Sequence, residues 1–461
     1  MASCWIVRVG AAWRRAAVLM GLCVCGVSAQ AWGPHMEITQ AALSTLGTNH
    51  PLVLQLGSRA HSLTNYAWLA DYRRLPFRDG AEDFYANDYL LFPGVETHFD
   101  HICPEVKQTY RPYFRRALQA LRTENPANAA RWIGSLLHFT EDTGSPPHAA
   151  EIRGDTHTKM ENWVDAELIT IRGYQPQLLG TNDDEAVEGF VRRMDGLIEF
   201  SKARGRKARP LVEIGNRSQT KPIVLECALE TCRVAADLMH TLGQLGRAPL
   251  KGSAGLRGII TTKAAPGLER FPAKVMLERT SFSTLTDLSG HYEFRHLPPG
   301  QYTIIATRPG GGVTRAEALL AGGRTNGCSL ALAGGANLVR NGDFKLAWAR
   351  PDAPDFWNRI KSDWEGEIVP LKTGQRYRLV VKFKEGTKGD VFVRWCRDMP
   401  YVVPKPGELP KIETRPLTPE NNELTFTGTE NMALFQVTIR RGTTPADVCE
   451  SVSLVAVEEG K

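Results

Sequence analysis

The chain has 461 residues, with 56 Lys and Arg against 50 Asp and Glu, and it is 42% hydrophobic and 23% charged. At roughly 100–200 residues per domain this is two to four domains, and the balance excludes both a wholly disordered chain and a polytopic membrane protein. The net charge of +6 is scattered and not blocked, so it makes no case for nucleic-acid binding.

The N-terminus reads as an export signal. Arg8, Arg14 and Arg15 form a basic start, Ala16 to Val27 is a short apolar run, and Ala29-Gln30-Ala31 is an A-x-A cleavage site. The run is too short to cross a bilayer, which takes about 20 helical residues, and no later stretch is long and apolar enough. The expectation is a signal peptide over 1–31 and a secreted, periplasmic or extracellular product. Cleavage would leave six cysteines: Cys103, Cys227, Cys232, Cys328, Cys396 and Cys449. An exported chain permits disulfides. Cys396 with Cys449, and Cys103 with Cys227 or Cys232, are the pairs considered.

From Trp32 to about residue 248 apolar residues recur at three- and four-residue intervals. Helices are predicted over Met36–Leu46, Tyr113–Leu121, Ala127–Glu141, Lys159–Thr170, Asp184–Ser201 and Ile223–Leu242. Pro146-Pro147 interrupts the pattern. The basic run Lys202–Arg209 reads as a solvated loop. After a short linker the pattern turns to strands at Lys274–Leu277, Tyr292–Phe294 and Gln301–Ile305, separated by Gly and Pro turns. Here Thr286-Asp287-Leu288-Ser289-Gly290-His291-Tyr292-Glu293-Phe294, then Leu297-Pro298-Pro299-Gly300-Gln301-Tyr302, resembles the transthyretin-like domains of the carboxypeptidase regulatory type. A β-sandwich over 255–335 is implied. Further strands are predicted at Arg376–Phe383, Val391–Trp395 and Ala433–Arg440. Asn337-Leu338-Val339-Arg340-Asn341-Gly342-Asp343-Phe344 resembles the opening of jelly-roll, carbohydrate-binding-like modules, implying a second sandwich over 336–461. Sugar stacking would need exposed aromatic rings. Trp348, Trp357, Trp364 and Trp395 are the candidates, but they read first as core residues and only second as sugar platforms.

The chemistry lies in the helical part. His138 and Asp142 are four apart and share a helical face. The prolines then end the helix and let His148 turn back toward that face. His157 and Glu161 form a second such pair. Imidazoles and carboxylates converging from two helices are the donor set that zinc takes.

The run His138-x3-Asp142-x5-His148, followed by His157-x3-Glu161, resembles the zinc-dependent phospholipase C and S1/P1 nuclease superfamily. That resemblance implies a mostly α-helical catalytic domain over 32–248, followed here by the two β-sandwich domains, and three Zn2+ ions. It assigns Asp71, His98, His138 and Asp142 to one ion, with His101 the rival of His98. His148, His157 and Glu161 take the second. Trp32, through a freed amine and its carbonyl, takes the third with His35 and the bridging Asp142. An amine binds metal only as a free, unprotonated terminus, so export processing would complete the site.

The implied activity is hydrolysis of a phosphodiester by activated water. Asp71 is the candidate general base, with a purely ligating role as the alternative. Lipid and nucleic acid share the reacting group. Glu161 as last ligand, and Tyr72 as an aromatic beside a choline group, favour the phospholipase C branch. Gly33 and Val95 depart from that branch, standing where an acid and a second cage aromatic are expected. The rivals are a single-strand nuclease, for which Tyr66, Trp68, Phe99 and Phe139 would offer base platforms, and a non-catalytic adhesive protein with a structural metal. The partners expected are a phospholipid or nucleic-acid phosphodiester, and a carbohydrate or cell-surface ligand at the C-terminal module.

Overall fold

The computed structural model describes residues 33–69, 101–247, 252–262, 273–287, 289–308, 312–332, 337–345, 354, 357–360, 363–366, 369–387, 389–396, 413–432 and 434–457. Among the described residues, helices run to Gly246 and strands begin at Ala254. The chain is therefore a mostly helical region followed by β-sheet regions. No described helix is long and apolar enough to cross a membrane.

The helices are α1 (His35–Ser44), α2 (Pro51–Leu56), α3 (Ser62–Leu69), α4 (Lys107–Thr123), α5 (Pro126–Gly144), α6 (Pro146–Ala149), α7 (Asp155–Asn162), α8 (Asp183–Glu213) and α9 (Arg217–Gly246). At the start of α5, Pro126 occupies the first turn and the Asn125 side chain accepts from the Asn128 N–H. Both stabilise a helix start. Every residue of α5 from Asn128 to Gly144 is buried. The helix is enclosed on all sides, packing on α3, α4 and α9.

Two glycines let its neighbours come close. A β-carbon at Gly134 would stand 2.2 Å from the Tyr66 β-carbon, and one at Gly144 would stand 1.8 Å from the Thr231 hydroxyl.

Two predicted elements are corrected. The Lys159–Thr170 helix is instead the short α7, ending at Asn162, with only a 3-10 turn at Ala166–Leu168 beyond it. The Lys202–Arg209 run is not a loop but the continuation of α8. Tertiary packing decides this: Gly205 and Ala208 are buried, and the Gly205 backbone seats on the Pro146 carbonyl. Lys202 pairs with Glu151, Arg204 with Glu226 and Arg209 with Glu213.

The first β region has strands β1 (Ala254–Thr262), β2 (Lys274–Leu277), β3 (Ser283–Leu285), β4 (His291–Leu297), β5 (Gly300–Arg308), β6 (Gly312–Leu320), β7 (Thr325–Gly327) and β8 (Leu330–Leu332). One sheet runs β4-β1-β7, with β8 also on β1, and the other runs β3-β2-β5-β6. Leu256 and Phe294 from the first share a core with Val275, Ile304 and Ala306 from the second. Met276, Leu285 and Ile305, on the opposite face of that second sheet, belong to the large apolar cluster containing the helical core. Burial on both faces explains why β2 and β3 have no exposed positions.

Polar contacts reinforce that junction. Arg116 pairs with buried Glu124, Asn125 donates to the Leu285 carbonyl, and Arg295 donates to the Glu124 carbonyl.

The last region has strands β9 (Trp357–Ile360), β10 (Asp363–Gly366), β11 (Val369–Pro370), β12 (Arg376–Phe383), β13 (Asp390–Cys396), β14 (Glu413–Leu417), β15 (Glu423–Thr427), β16 (Leu434–Arg440) and β17 (Cys449–Val457). They form the sheets β14-β13-β16-β10-β9, with β11 on β16, and β15-β12-β17.

One alternative is decided here and one expectation fails. Trp357, Trp364 and Trp395 are 1–2% exposed, so they are core residues and not platforms for a sugar; Trp348 lies outside the described residues. No disulfide forms among the described residues: Cys103, Cys227, Cys232, Cys328 and Cys449 are all free thiols. The Cys396–Cys449 pair fails because Cys449, at the start of β17, is a buried free thiol.

Candidate metal centre

Helix α5 carries His138 and Asp142 on one face, and the sharp turn after Gly144 brings His148 back to it. The Ser145 N–H bonds the carbonyls of Glu141 and Asp142, closing the helix, and Pro146 and Pro147 open the one-turn α6. His35 enters from α1. His157 and Glu161 enter from α7.

Two groups of three result: His35, His138 and Asp142; and His148, His157 and Glu161. Within each group one ligand atom per residue lies within 4.8 Å of the others. Asp142 joins them, since its Oδ1 is 3.5 Å from His35 Nε2 and 4.0 Å from His148 Nδ1. Gly33 also lies here: a β-carbon built on it would stand 3.6 Å from the Glu161 carbonyl oxygen.

The four imidazoles share one arrangement. Nδ1 of His138 lies 2.8 Å from the Ala67 carbonyl, Nδ1 of His148 2.9 Å from the His101 carbonyl, and Nδ1 of His157 2.8 Å from the Ile152 carbonyl. A carbonyl only accepts, so each of these nitrogens carries the proton. Nδ1 of His35 is 2.7 Å from Glu141 Oε2. The Nε2 atoms all face carboxylates: His138 to Asp142 Oδ2 at 3.0 Å, and His148 and His157 to Glu161 Oε1 at 2.8 and 3.1 Å. In a neutral ring with its proton on Nδ1, Nε2 is a lone pair. Lone pairs facing carboxylate oxygens require a positive charge between them, either protons or a metal cation.

Without a cation, protons fill that role. Burial alone would lower the His148 pKa, but Asp142 and Glu161 outweigh it and raise it from 6.5 to about 9. Burial opposes the Asp142 charge, yet His138, His148 and His101 hold its carboxyl well below the usual range. Glu161 is likewise drawn down against burial by His148 and His157. The donor set, its burial and its inward lone pairs all fit divalent zinc.

Of the residues expected from sequence, His35, His138, Asp142, His148, His157 and Glu161 are brought together. Trp32, Asp71, Tyr72 and His98 lie outside the described residues. His101, the rival of His98, has Nδ1 2.7 Å from Asp142 Oδ2 and 3.1 Å from His138 Nε2. Its carbonyl also orients His148, so one residue touches both groups.

Sequence reasoning missed Glu141. Its side chain is fully buried and accepts from Thr39 Oγ1 at 2.5 Å as well as contacting His35. Burial pushes its carboxyl up, against the His35 and Thr39 contacts. The available signal was an acid beside Asp142 in a helix with no polar face. The carbonyls of Ala67, His101 and Ile152 carry no sequence signal at all.

No family model matches the chain. It is similar to a phospholipase C of Bacillus cereus, 26% identical over 174 residues, which are 36% of this chain and 60% of the relative. The chain thus spans about three fifths of that relative's length. Among solved structures, an alpha-toxin of Clostridium perfringens covers 60% of this chain and 87% of its own, at 15% identity and a TM-score of 0.35. A Bacteroides uniformis structure, titled a "putative carbohydrate binding protein", covers 41% of this chain and 79% of its own, at 10% identity and a TM-score of 0.15.

Proposed function

We propose that this chain is a secreted, zinc-dependent phosphodiester hydrolase of the phospholipase C type. The observation that carries the reading is the pair of triads joined through Asp142, each of their four imidazoles held at Nδ1 with Nε2 turned inward. The similarity to Bacillus cereus phospholipase C supports the same chemistry.

His148, His157 and Glu161 hold one zinc position. His138 and Asp142, with Asp71 and His98, hold another, and His101 is placed to share or take the role of His98. His35 and Asp142, with the amine and carbonyl of Trp32 after removal of 1–31, hold the third. Zinc when bound supplies Lewis-acid charge and lowers the pKa of water to about 7. The chain's own part is to fix ligand orientation through the Ala67, His101 and Ile152 carbonyls, and to bury the carboxylates so that their charge is undiluted by solvent. Asp71 is the candidate base that takes a proton from the attacking water, and Tyr72 the candidate headgroup contact.

The substrate proposed is a phospholipid. Tyr66 and Phe139 are completely buried and offer no stacking platform for a base. The C-terminal region is proposed to contact carbohydrate or another cell-surface ligand, through side chains other than the three core tryptophans.

The test offers the processed, zinc-loaded protein a chromogenic phosphodiester, phosphatidylcholine vesicles and single-stranded DNA. Turnover of the first two, abolished by His148→Ala, is expected. Turnover of DNA alone selects a nuclease. Zinc uptake with no turnover selects a binding protein. Undiminished activity in His148→Ala removes the metal assignment.

A further inference from the structure

His35 and Thr39 are one turn apart on α1, and both face Glu141 on α5. Nδ1 of His35 lies 2.7 Å from Oε2, and Thr39 Oγ1 donates to Oε1 at 2.5 Å. All three residues are fully buried. A carboxylate here has lost its water, and two side-chain contacts replace little of that hydration. Such a group persists where its charge has a use. The other three inward imidazoles each give their Nδ1 proton to a neutral carbonyl. His35 alone of the four has a carboxyl group at its Nδ1.

We propose that Glu141 is the positioning residue for the metal position built on His35: it locks the ring with Nε2 inward and lends that position a negative charge its own ligands lack. The inference rests on the zinc reading above. In that reading the His35 position has an amine, a carbonyl, an imidazole and Asp142 as donors. Only Asp142 is anionic, and it is shared with a neighbouring ion. The position of His148 and His157 has Glu161 to itself. A carboxylate behind an imidazole makes the opposite nitrogen a stronger donor and holds the ring's orientation. Here that opposite nitrogen is 3.5 Å from Asp142 Oδ1, and the His35 ring lies over His138 with centroids 4.6 Å apart. Glu141 acts only through His35, from the side of the ring away from Asp142.

The test uses the processed full chain, stripped by chelator and titrated with zinc. Calorimetry reads affinity, elemental mass spectrometry reads bound metal, and circular dichroism reads the fold. Glu141→Gln keeps the size and hydrogen-bonding shape of the side chain and removes the charge. It is expected to keep the fold and lose about 10–100-fold in affinity at one zinc position, the others being unchanged. Glu141→Ala is expected to empty the same position as His35→Ala, with no further zinc lost in the double variant. If Glu141→Ala does not fold, Glu141→Gln decides alone. Wild-type affinity at every position in Glu141→Gln overturns this inference and leaves the zinc reading standing. A wild-type chain that takes up no zinc overturns both.

Discussion

His148 Nε2 stands 2.8 Å from Glu161 Oε1, while its Nδ1 donates to the His101 carbonyl at 2.9 Å. The ring is held on both sides, and the turn that carries it is fixed between α5 and α8.

A pH dependence follows from this contact. His148 is raised from 6.5 to about 9, so its protonated form stabilises the metal-free fold fully below pH 6.5, and that contribution is lost as pH rises through about 9. Asp142 and Glu161 are lowered, so their contribution is present above their ordinary values of 3.8 and 4.5 and is lost in stronger acid. Metal-free protein is therefore expected to melt at falling temperature from pH 6.5 to 9. Zinc competes with these protons, so the rise in melting temperature on adding zinc should grow over the same range. Thermal scans of stripped and loaded protein check both, and a flat metal-free profile counts against the proton-filled arrangement.

Gly205 sets the seat of that turn. A β-carbon there would stand 2.5 Å from the Pro146 carbonyl oxygen and 2.9 Å from the Ala150 β-carbon. Backbone cannot swing aside, so Gly205→Ala is expected to cost about 1–3 kcal/mol by overpacking. His148 moves with the turn, and zinc affinity should fall too. Urea unfolding and zinc titration measure the two effects; Gly196→Ala, on the same helix with open space around it, is the control.

Arg116 and Glu124 form a buried pair where the helical region meets β3 and β4. Arg116 also donates to the Ser283 hydroxyl at 3.0 Å and lies over the Trp132 ring. Arg116→Ala leaves the Glu124 carboxylate buried without its counter-charge, at an expected cost of about 3–5 kcal/mol. Calorimetry should show a lower melting temperature. The double variant Arg116→Met with Glu124→Gln should recover much of the loss.

Thiol chemistry offers a simple check. Burial raises Cys103 to about 11 and Cys227 and Cys449 to about 12, so few thiolates exist at neutral pH. In the folded protein Cys103, Cys227 and Cys449 should react slowly with a thiol reagent, and at least the five described thiols should be released on denaturation. A reductant should leave the melting temperature unchanged. Recovery of fewer thiols after denaturation would restore the disulfide expectation.

The helical character of the first region, the strands at Lys274–Leu277 and Arg376–Phe383, and the pairing of His138 with Asp142 and of His157 with Glu161 were all legible in the chain. These are local facts: a residue four positions along a helix lies on the same face whatever surrounds it. Tertiary structure alone decided the rest. Lys202–Arg209 is charged enough for a loop, but Gly205 packs against the α6 turn and Ala208 clusters with Ile152 and Met160, and this packing holds it helical. The tryptophans were ambiguous because an aromatic ring serves a core and a sugar equally well until its burial is known. Glu141 meets His35 across 106 residues of chain, and the carbonyls that orient His138, His148 and His157 belong to no side chain. Spacing along one helix selects which groups share a face, whereas which atom stands behind each ring depends on how separate helices pack.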